Sequence, residues 1–174
     1  AWKRKIDLIG SILGLIFLSP LFVFIASLIR LVSPGPAFFK QTRIGYKGKP
    51  FTLWKFRTMH LDADPKVHQT HLSNLINTDA IMSKLDKTDD PRIFLGGKYI
   101  RQASLDELPQ LFNVLRGEMS LVGPRPALPY EVTQYQSWQK ERHNCLPGLT
   151  GLWQVSGKNR TTFNEMIRFD LNYI

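Results

Sequence analysis

The chain opens with a hydrophobic pattern unlike anything that follows it. From Leu8 to Ile29 run 22 uncharged, mostly apolar residues, which as a straight helix would reach about 33 Å, enough for a bilayer core. Ser19-Pro20 sits near the middle, where proline deletes a backbone hydrogen bond and crowds the carbonyl four residues back. The pattern predicts a broken helix with halves at about Leu8 to Leu18 and Leu21 to Ile29. The carbonyls freed near Pro20 then need partners such as the Ser19 hydroxyl. A signal peptide fits poorly, because no small-residue cleavage site follows a short apolar stretch. A kinked spanning helix and a buried core helix also match the length and composition of the run.

Beyond this segment the periodicities shorten. Ser33-Pro34-Gly35-Pro36 stops the helix and starts extended chain. Ala37 to Arg43 and Pro50 to Thr58, rich in aromatic and β-forming residues around Gly45-Tyr46-Lys47-Gly48, predict a hairpin. Leu61 to Asp90 is polar without a clear period and reads as short helix and mobile loop. His68 and His71 there are three apart, but no third metal ligand is near, so they read as a solvated helix face. Leu108, Leu111, Phe112 and Leu115 predict a helix over Ser104 to Glu118 ending near Gly117. Gly123-Pro124-Arg125-Pro126 is a rigid loop. Glu131 to His143 reads as a helix, Leu146 to Gly157 as loop with a short strand, and Thr161 to Ile174 as a helix. The expected fold is a single α+β, mainly helical domain over 1–174, with a re-entrant membrane segment at 1–32, a small hairpin, and the remainder at 33–174.

Charge sharpens the membrane reading. The net charge is +9, and from Ala1 to His60 ten lysines and arginines face one acid, Asp7, while the rest is balanced at thirteen and thirteen. The excess therefore flanks the apolar segment: Lys3-Arg4-Lys5 before it, Lys40, Arg43, Lys47 and Lys49 after it. Basic flanks favour the cytoplasmic side, so both ends belong there and the segment enters and returns through one leaflet. Such a distribution suits anionic lipid or phosphorylated substrates, and no base-reading module points to nucleic acid. Cys145 is the single cysteine and forms no intrachain disulfide. Ala1 in place of Met, and a helix pattern cut off at Arg168 to Ile174, suggest a piece of a longer protein.

Candidate chemistry centres on Asp106-Glu107. Ser104 and Glu107 fit a capping box, with both acids at a positive helix end. Pro109 complicates this, because a helix opened at Leu105 places proline beyond its first turn; a helix starting at Pro109 leaves the acids in the preceding loop. In the chemical reading, one carboxylate attacks phosphorus to give an acyl-phosphate while its neighbour holds a divalent cation such as Mg2+. Lys55, Arg57, Arg101 and Arg125 are the cations at hand to offset phosphate charge. Arg125, between two prolines, has a stiff backbone suited to a fixed contact.

Five stretches carry a resemblance: Ser19-Pro20; Gly35-Pro-Ala-Phe-Phe-Lys-Gln-Thr-Arg-Ile-Gly45; Trp54-Lys-Phe-Arg-Thr-Met59; Ser104-Leu-Asp-Glu-Leu-Pro-Gln through Gly123-Pro-Arg-Pro126; and Pro147-Gly-Leu-Thr-Gly-Leu-Trp-Gln-Val-Ser-Gly157. In this order, over nearly the whole chain, they resemble the bacterial sugar transferases, monotopic polyprenyl-phosphate phosphoglycosyl transferases. The resemblance implies transfer of sugar 1-phosphate from a UDP-sugar to undecaprenyl phosphate with Mg2+, at the cytoplasmic face of the bacterial inner membrane. It implies Asp106 as nucleophile and Glu107 as magnesium ligand. Lys55, Arg101, Arg125 and Asp170 match further site positions, and Lys158 stands where relatives carry arginine. It also implies a re-entrant helix broken at Ser-Pro, amphipathic helices at the membrane surface, and a further helix beyond Ile174. Departures are Leu146 for a basic residue, Glu118 for aspartate, and Lys158, which loses the two-pronged fork of arginine. A catalytically silent scaffold binding polyprenyl lipid or partner enzymes is the competing reading; the retained Asp106, Glu107, Lys55, Arg101 and Asp170 favour the enzyme. Association into a homo-oligomer is compatible with either.

Overall fold

The computed structural model describes residues 2–61, 65–82, 90–157 and 160–174. The apolar run forms one long helix, α1 (Trp2–Val32), followed by a hairpin of β1 (Phe38–Ile44) and β2 (Pro50–Phe56). Helices α2 (Pro65–Thr78) and α3 (Gly97–Gln102) come next, then a 3₁₀ turn at Leu105–Glu107 and α4 (Gln110–Arg116). The chain continues through β3 (Ser120–Val122), α5 (Pro129–Val132), α6 (Ser137–Lys140), β4 (Gly148–Thr150), α7 (Leu152–Ser156) and α8 (Phe163–Tyr173).

Helix α1 corrects one expectation and meets another. Its backbone is helical without interruption through Pro20, so the two separate halves are not seen. The carbonyl that Pro20 leaves without an amide is that of Ile16, and the Ser19 hydroxyl donates to it at 2.8 Å. The helix lies along the rest of the protein with one face down. Asp7, Ser11, Ile25 and Ile29 are buried, at the three-to-four spacing of one helical stripe. Gly10 permits the close approach, since a Cβ there would meet Leu121 Cδ1 at 2.7 Å. The opposite stripe, including Ile6, Ile9, Leu13, Phe17, Phe24 and Leu31, is exposed.

Both ends of α1 are fastened to the same body. At the start, Arg4 donates to the carbonyls of Val114 (2.6 Å) and Leu115 (2.9 Å), the open C-terminal carbonyls of α4. At the end, Arg57 donates to Ser33 Oγ (2.9 Å), Ser33 O (2.6 Å) and Pro36 O (2.7 Å). Between them Ile25 and Ile29 join Phe56, Phe94 and Ile100 in one apolar cluster, against which Leu105 and Leu108 also pack.

The hairpin is antiparallel as expected, with Phe39 opposite Lys55 and Arg43 opposite Phe51. A second, parallel pair joins β3, which was not foreseen, to β4, the short strand expected within Leu146 to Gly157. Its strands are three residues long and meet through glycines: a Cβ on Gly148 would collide with the backbone of Gly123. The polar segment Leu61 to Asp90, expected as short helix and mobile loop, holds a 14-residue helix; its residues 62–64 and 83–89 lie outside the described residues. The single helix expected over Glu131 to His143 is instead α5, α6 and a 3₁₀ turn, because Gln136 is extended and opens a new capping box with Gln139. Leu152–Ser156 is helical where loop was expected. The C-terminal helix is capped by Thr162 and Glu165 and buries Phe163, Met166 and Ile167 in the main core beside Trp153 and Tyr135.

Candidate active site

The helix expected over Ser104 to Glu118 is split by Pro109, and the split places the two acids. Pro109 becomes the N-cap of α4, Gly117 closes it in the left-handed region, and Asp106-Glu107 sit on the preceding 3₁₀ turn. The capping-box reading fails: Ser104 is itself left-handed (φ 56°) and its side chain makes no cap hydrogen bond. A non-glycine residue there is strained, on the order of 1–2 kcal/mol, two positions before Asp106.

Lys55 reaches this turn from β2. Its Nζ lies 3.0 Å from Glu107 Oε1 and 3.8 Å from Asp106 Oδ2, so one ammonium bridges both acids. Asn113 fixes that approach. Its Oδ1 accepts from the Trp54 amide at 3.1 Å, and its Nδ2 donates to Thr52 O (2.7 Å) and Glu118 Oε2 (2.6 Å). The wholly buried Asn113 thus staples α4, which follows the acids, to the strand carrying Lys55. It lies within the stretch that carries the family resemblance, but sequence reading gave it no role of its own.

The two acids differ. Asp106 is buried, and burial pushes its carboxyl above the ordinary aspartate range, while Lys55 and Arg101 pull it back and Glu107 adds to the rise. Glu107 keeps 38% of its side chain exposed. Arg101, at the end of α3, donates to Thr58 Oγ1 at 3.4 Å and acts on Asp106 through its charge. A buried carboxylate of raised basicity, beside a fixed ammonium and a more open second carboxylate, is equipped for nucleophilic attack at an anionic centre.

The other expected residues are distributed differently. Arg57, expected at phosphate, is committed to the end of α1 by the bonds already described. Arg125 faces Glu131, with Nη1 3.6 Å from Oε1. Asp170, expected as a catalytic residue from the C-terminal helix, is committed to a buried 2.5 Å pair with Arg142. Lys158 lies outside the described residues. His68 is not a solvated residue: its Nδ1 is 2.7 Å from Tyr130 Oη, and burial together with Arg125 and Arg43 pushes the imidazole down to about 4. Sequence reasoning gave no site role to Arg43, Glu131, Tyr135 or Arg142; the last three fell only within the helix expected over Glu131 to His143. Among the described residues no group of three or more His, Cys, Asp or Glu gathers into a metal cluster; Asp106 and Glu107 are adjacent carboxylates that could offer oxygen ligands to a cation.

Comparison with known proteins agrees along the whole chain. The family model described as bacterial sugar transferase matches residues 1–174. The galactosyl transferase CpsE of Streptococcus agalactiae serotype III is 44% identical over 173 residues, covering 99% of this chain and 37% of that protein. The exopolysaccharide production protein ExoY of Sinorhizobium fredii is 41% identical over 172 residues, covering 99% of this chain and 76% of its own length. The UDP-glucose:undecaprenyl-phosphate glucose-1-phosphate transferase of Klebsiella pneumoniae is 40% identical over 182 residues, covering 99% of this chain and 36% of that protein. The chain thus spans little more than a third of two of these relatives and about three-quarters of the third.

Proposed function

The chain belongs to the bacterial sugar transferase family, and from that premise we propose that it transfers sugar 1-phosphate from a UDP-sugar to undecaprenyl phosphate, releasing UMP. The observation that carries the reading is Lys55 bridging Asp106 and Glu107 on a turn packed against the membrane helix.

The Asp106 carboxylate attacks the phosphorus that bears the sugar. A bond forms from its oxygen to phosphorus, the anhydride bond to the second phosphate breaks, and UMP leaves with that electron pair. Asp106 then holds the sugar phosphate as an acyl-phosphate. A phosphate oxygen of the polyprenyl acceptor attacks the same phosphorus, forming the new diphosphate and restoring the Asp106 carboxylate. Lys55 and Arg101 offset the negative charge that gathers in both steps. Burial keeps Asp106 basic enough to attack, and Lys55 keeps it ionised.

Mg2+ fits the donor set: it takes one or two carboxylates and fills its remaining positions with water and phosphate oxygens. Glu107, the more exposed acid, would hold it with Asp106 beside it. When bound, the ion supplies charge neutralisation on the donor phosphates.

The exposed apolar stripe of α1 supports seating in the cytoplasmic leaflet of the bacterial inner membrane. The helix is about 46 Å long by its residue count, long and apolar enough to span. A spanning helix would put its ends on opposite sides, whereas Arg4 and Ser33 bond the same body. A shallow, monotopic seat lets the exposed stripe meet lipid while Asp106 stays at headgroup level, where a lipid phosphate lies. Incubation with a panel of UDP-sugars, undecaprenyl phosphate and Mg2+ tests the reading. Release of UMP is expected; lipid-bound protein that yields none from any sugar favours a silent scaffold.

A further inference from the structure

We propose that Glu131, Tyr135, Arg142 and Asp170 form a closed polar ring that holds Arg125 toward the phosphates of the donor, which makes them positioning residues for the transfer proposed above, on which this inference rests. The ring can be followed bond by bond. Glu131 Oε1 faces Arg125 Nη1 at 3.6 Å, and its other oxygen accepts from the Tyr135 hydroxyl at 3.1 Å. The same hydroxyl accepts from Arg142 Nη1 at 2.8 Å. Arg142 Nη2 donates to the Arg125 carbonyl at 2.8 Å and to Asp170 Oδ2 at 2.5 Å. Arg125 is therefore gripped at both its side chain and its backbone by one circuit.

Burial shows which member meets a ligand. Glu131, Tyr135, Arg142 and Asp170 are all buried, whereas the Arg125 side chain is 27% exposed. Arg125 Nη1 and Glu131 Oε1 are buried and each lacks a hydrogen bond. They attract each other by charge across a gap too long for a bond, so the guanidinium is aimed without being saturated. Arg43 adds a second cation: its Nη1 donates to the carbonyl of Pro126, the next residue, at 3.0 Å. Burial first, and the nearby Arg125 after it, push the Arg43 guanidinium down to about 10, while Glu131 partly offsets them. An anion placed there relieves the repulsion between the two arginines.

The location relative to Asp106 fits a donor lying along the hairpin. Arg43 and Lys55 project from the same face, since Arg43 opposes Phe51 and Lys55 opposes Phe39. Four positions of register separate them, about 13 Å at strand rise. Glu107 also acts on Arg43 through its charge, which ties the two ends together. Burying two acids and an arginine to hold one partly exposed arginine is costly unless each is paired, and such networks fix one geometry when complete.

Tyr135→Phe tests the ring, because it removes one hydroxyl and keeps the volume. The wild type, assayed in parallel, reports whether the transfer itself occurs. The expected result is a KM for the UDP-sugar raised about tenfold with kcat within about threefold, the size typical of a lost supporting contact. In an Arg125→Ala background the same change is expected to add less than about twofold, since linked residues are not additive. If Tyr135→Phe fails to fold, as judged by its melting transition, Asp170→Asn takes its place with the same expected pattern. An unchanged KM, a loss confined to kcat, or an equal penalty in both backgrounds overturns the proposal. Wild-type protein without turnover overturns the transferase reading instead.

Discussion

Asp7 of α1 and Ser120 of β3 meet across 113 positions of sequence, with the Ser120 hydroxyl 2.9 Å from either carboxylate oxygen. The Leu121 amide donates to the same carboxylate at 2.9 Å, and Lys3 also bonds Ser120. This buried acid locks the first turns of α1 onto the strand that leads to Arg125. Asp7→Leu leaves the Ser120 and Leu121 donors without their charged acceptor, and a loss of about 3 kcal/mol is expected. Thermal or denaturant unfolding in detergent or nanodiscs measures it; a change below about 0.5 kcal/mol would show the contact to be idle.

Substitution at the two acids separates their roles. Asp106→Asn is expected to abolish both turnover and a covalent phosphosugar adduct seen by intact-protein mass. Glu107→Gln is expected to retain residual turnover with a weakened response to added Mg2+. Substantial turnover by Asp106→Asn rules it out as the nucleophile.

Lys55 sets the charge state of Asp106. Burial raises the Asp106 carboxyl and Lys55 lowers it, so Lys55→Gln raises it further and the attacking anion is lost at a higher pH. The acidic limb of kcat/KM is expected to move upward in pH, with kcat reduced on the order of 10²-fold. A pH–rate profile with an unmoved limb contradicts the coupling.

The seating of α1 predicts one-sided accessibility. In a Cys145→Ser background, single cysteines replacing Lys5 and Lys49, both exposed, are expected to react with an impermeant maleimide from the cytoplasmic side only. Labelling of the two from opposite sides establishes a spanning helix.

Acid sensitivity follows from two imidazoles. Burial and the adjacent Arg142 push His143 down to about 4, and His68 is lowered to about 4 as well. Unfolded, both take up protons near pH 6.5. The fold therefore binds fewer protons than the unfolded chain between these values, so stability is full above about pH 6.5 and falls as pH drops toward 4. His143→Gln is expected to flatten that decline in Tm between about pH 7 and 5; an unchanged slope means that His143 does not contribute.

Some of this protein is written locally and some is not. The apolar run, the proline in it, the hairpin alternation and the Asp-Glu pair are short-range features, and the structure places α1, β1, β2 and the Asp106-Glu107 turn on them. Lys55 was one of four cations named from the sequence and matched a motif position of the resemblance, and the structure sets it against both acids. The fate of Arg57 was not legible: its sequence context suits phosphate, but the end of α1 presents the carbonyls of Ser33 and Pro36 to it first. The continuity of α1 was missed for a related reason, since Ser19 bonds the carbonyl that Pro20 leaves open and the body beneath keeps the helix aligned. The roles of Asn113, Glu131, Tyr135 and Arg142, and the pairing of β3 with β4, depend on partners the local pattern does not name. For Asn113 the partners are Glu118 and Thr52, 5 and 61 positions away. Sequence by itself marked the long apolar helix, the family of the chain and the Asp106-Glu107 pair, because periodicity, charge and motif are carried by neighbouring residues. Only the tertiary structure decided which cations face those acids and which hold the scaffold, because burial and hydrogen bonding between distant segments assign each charge its partner.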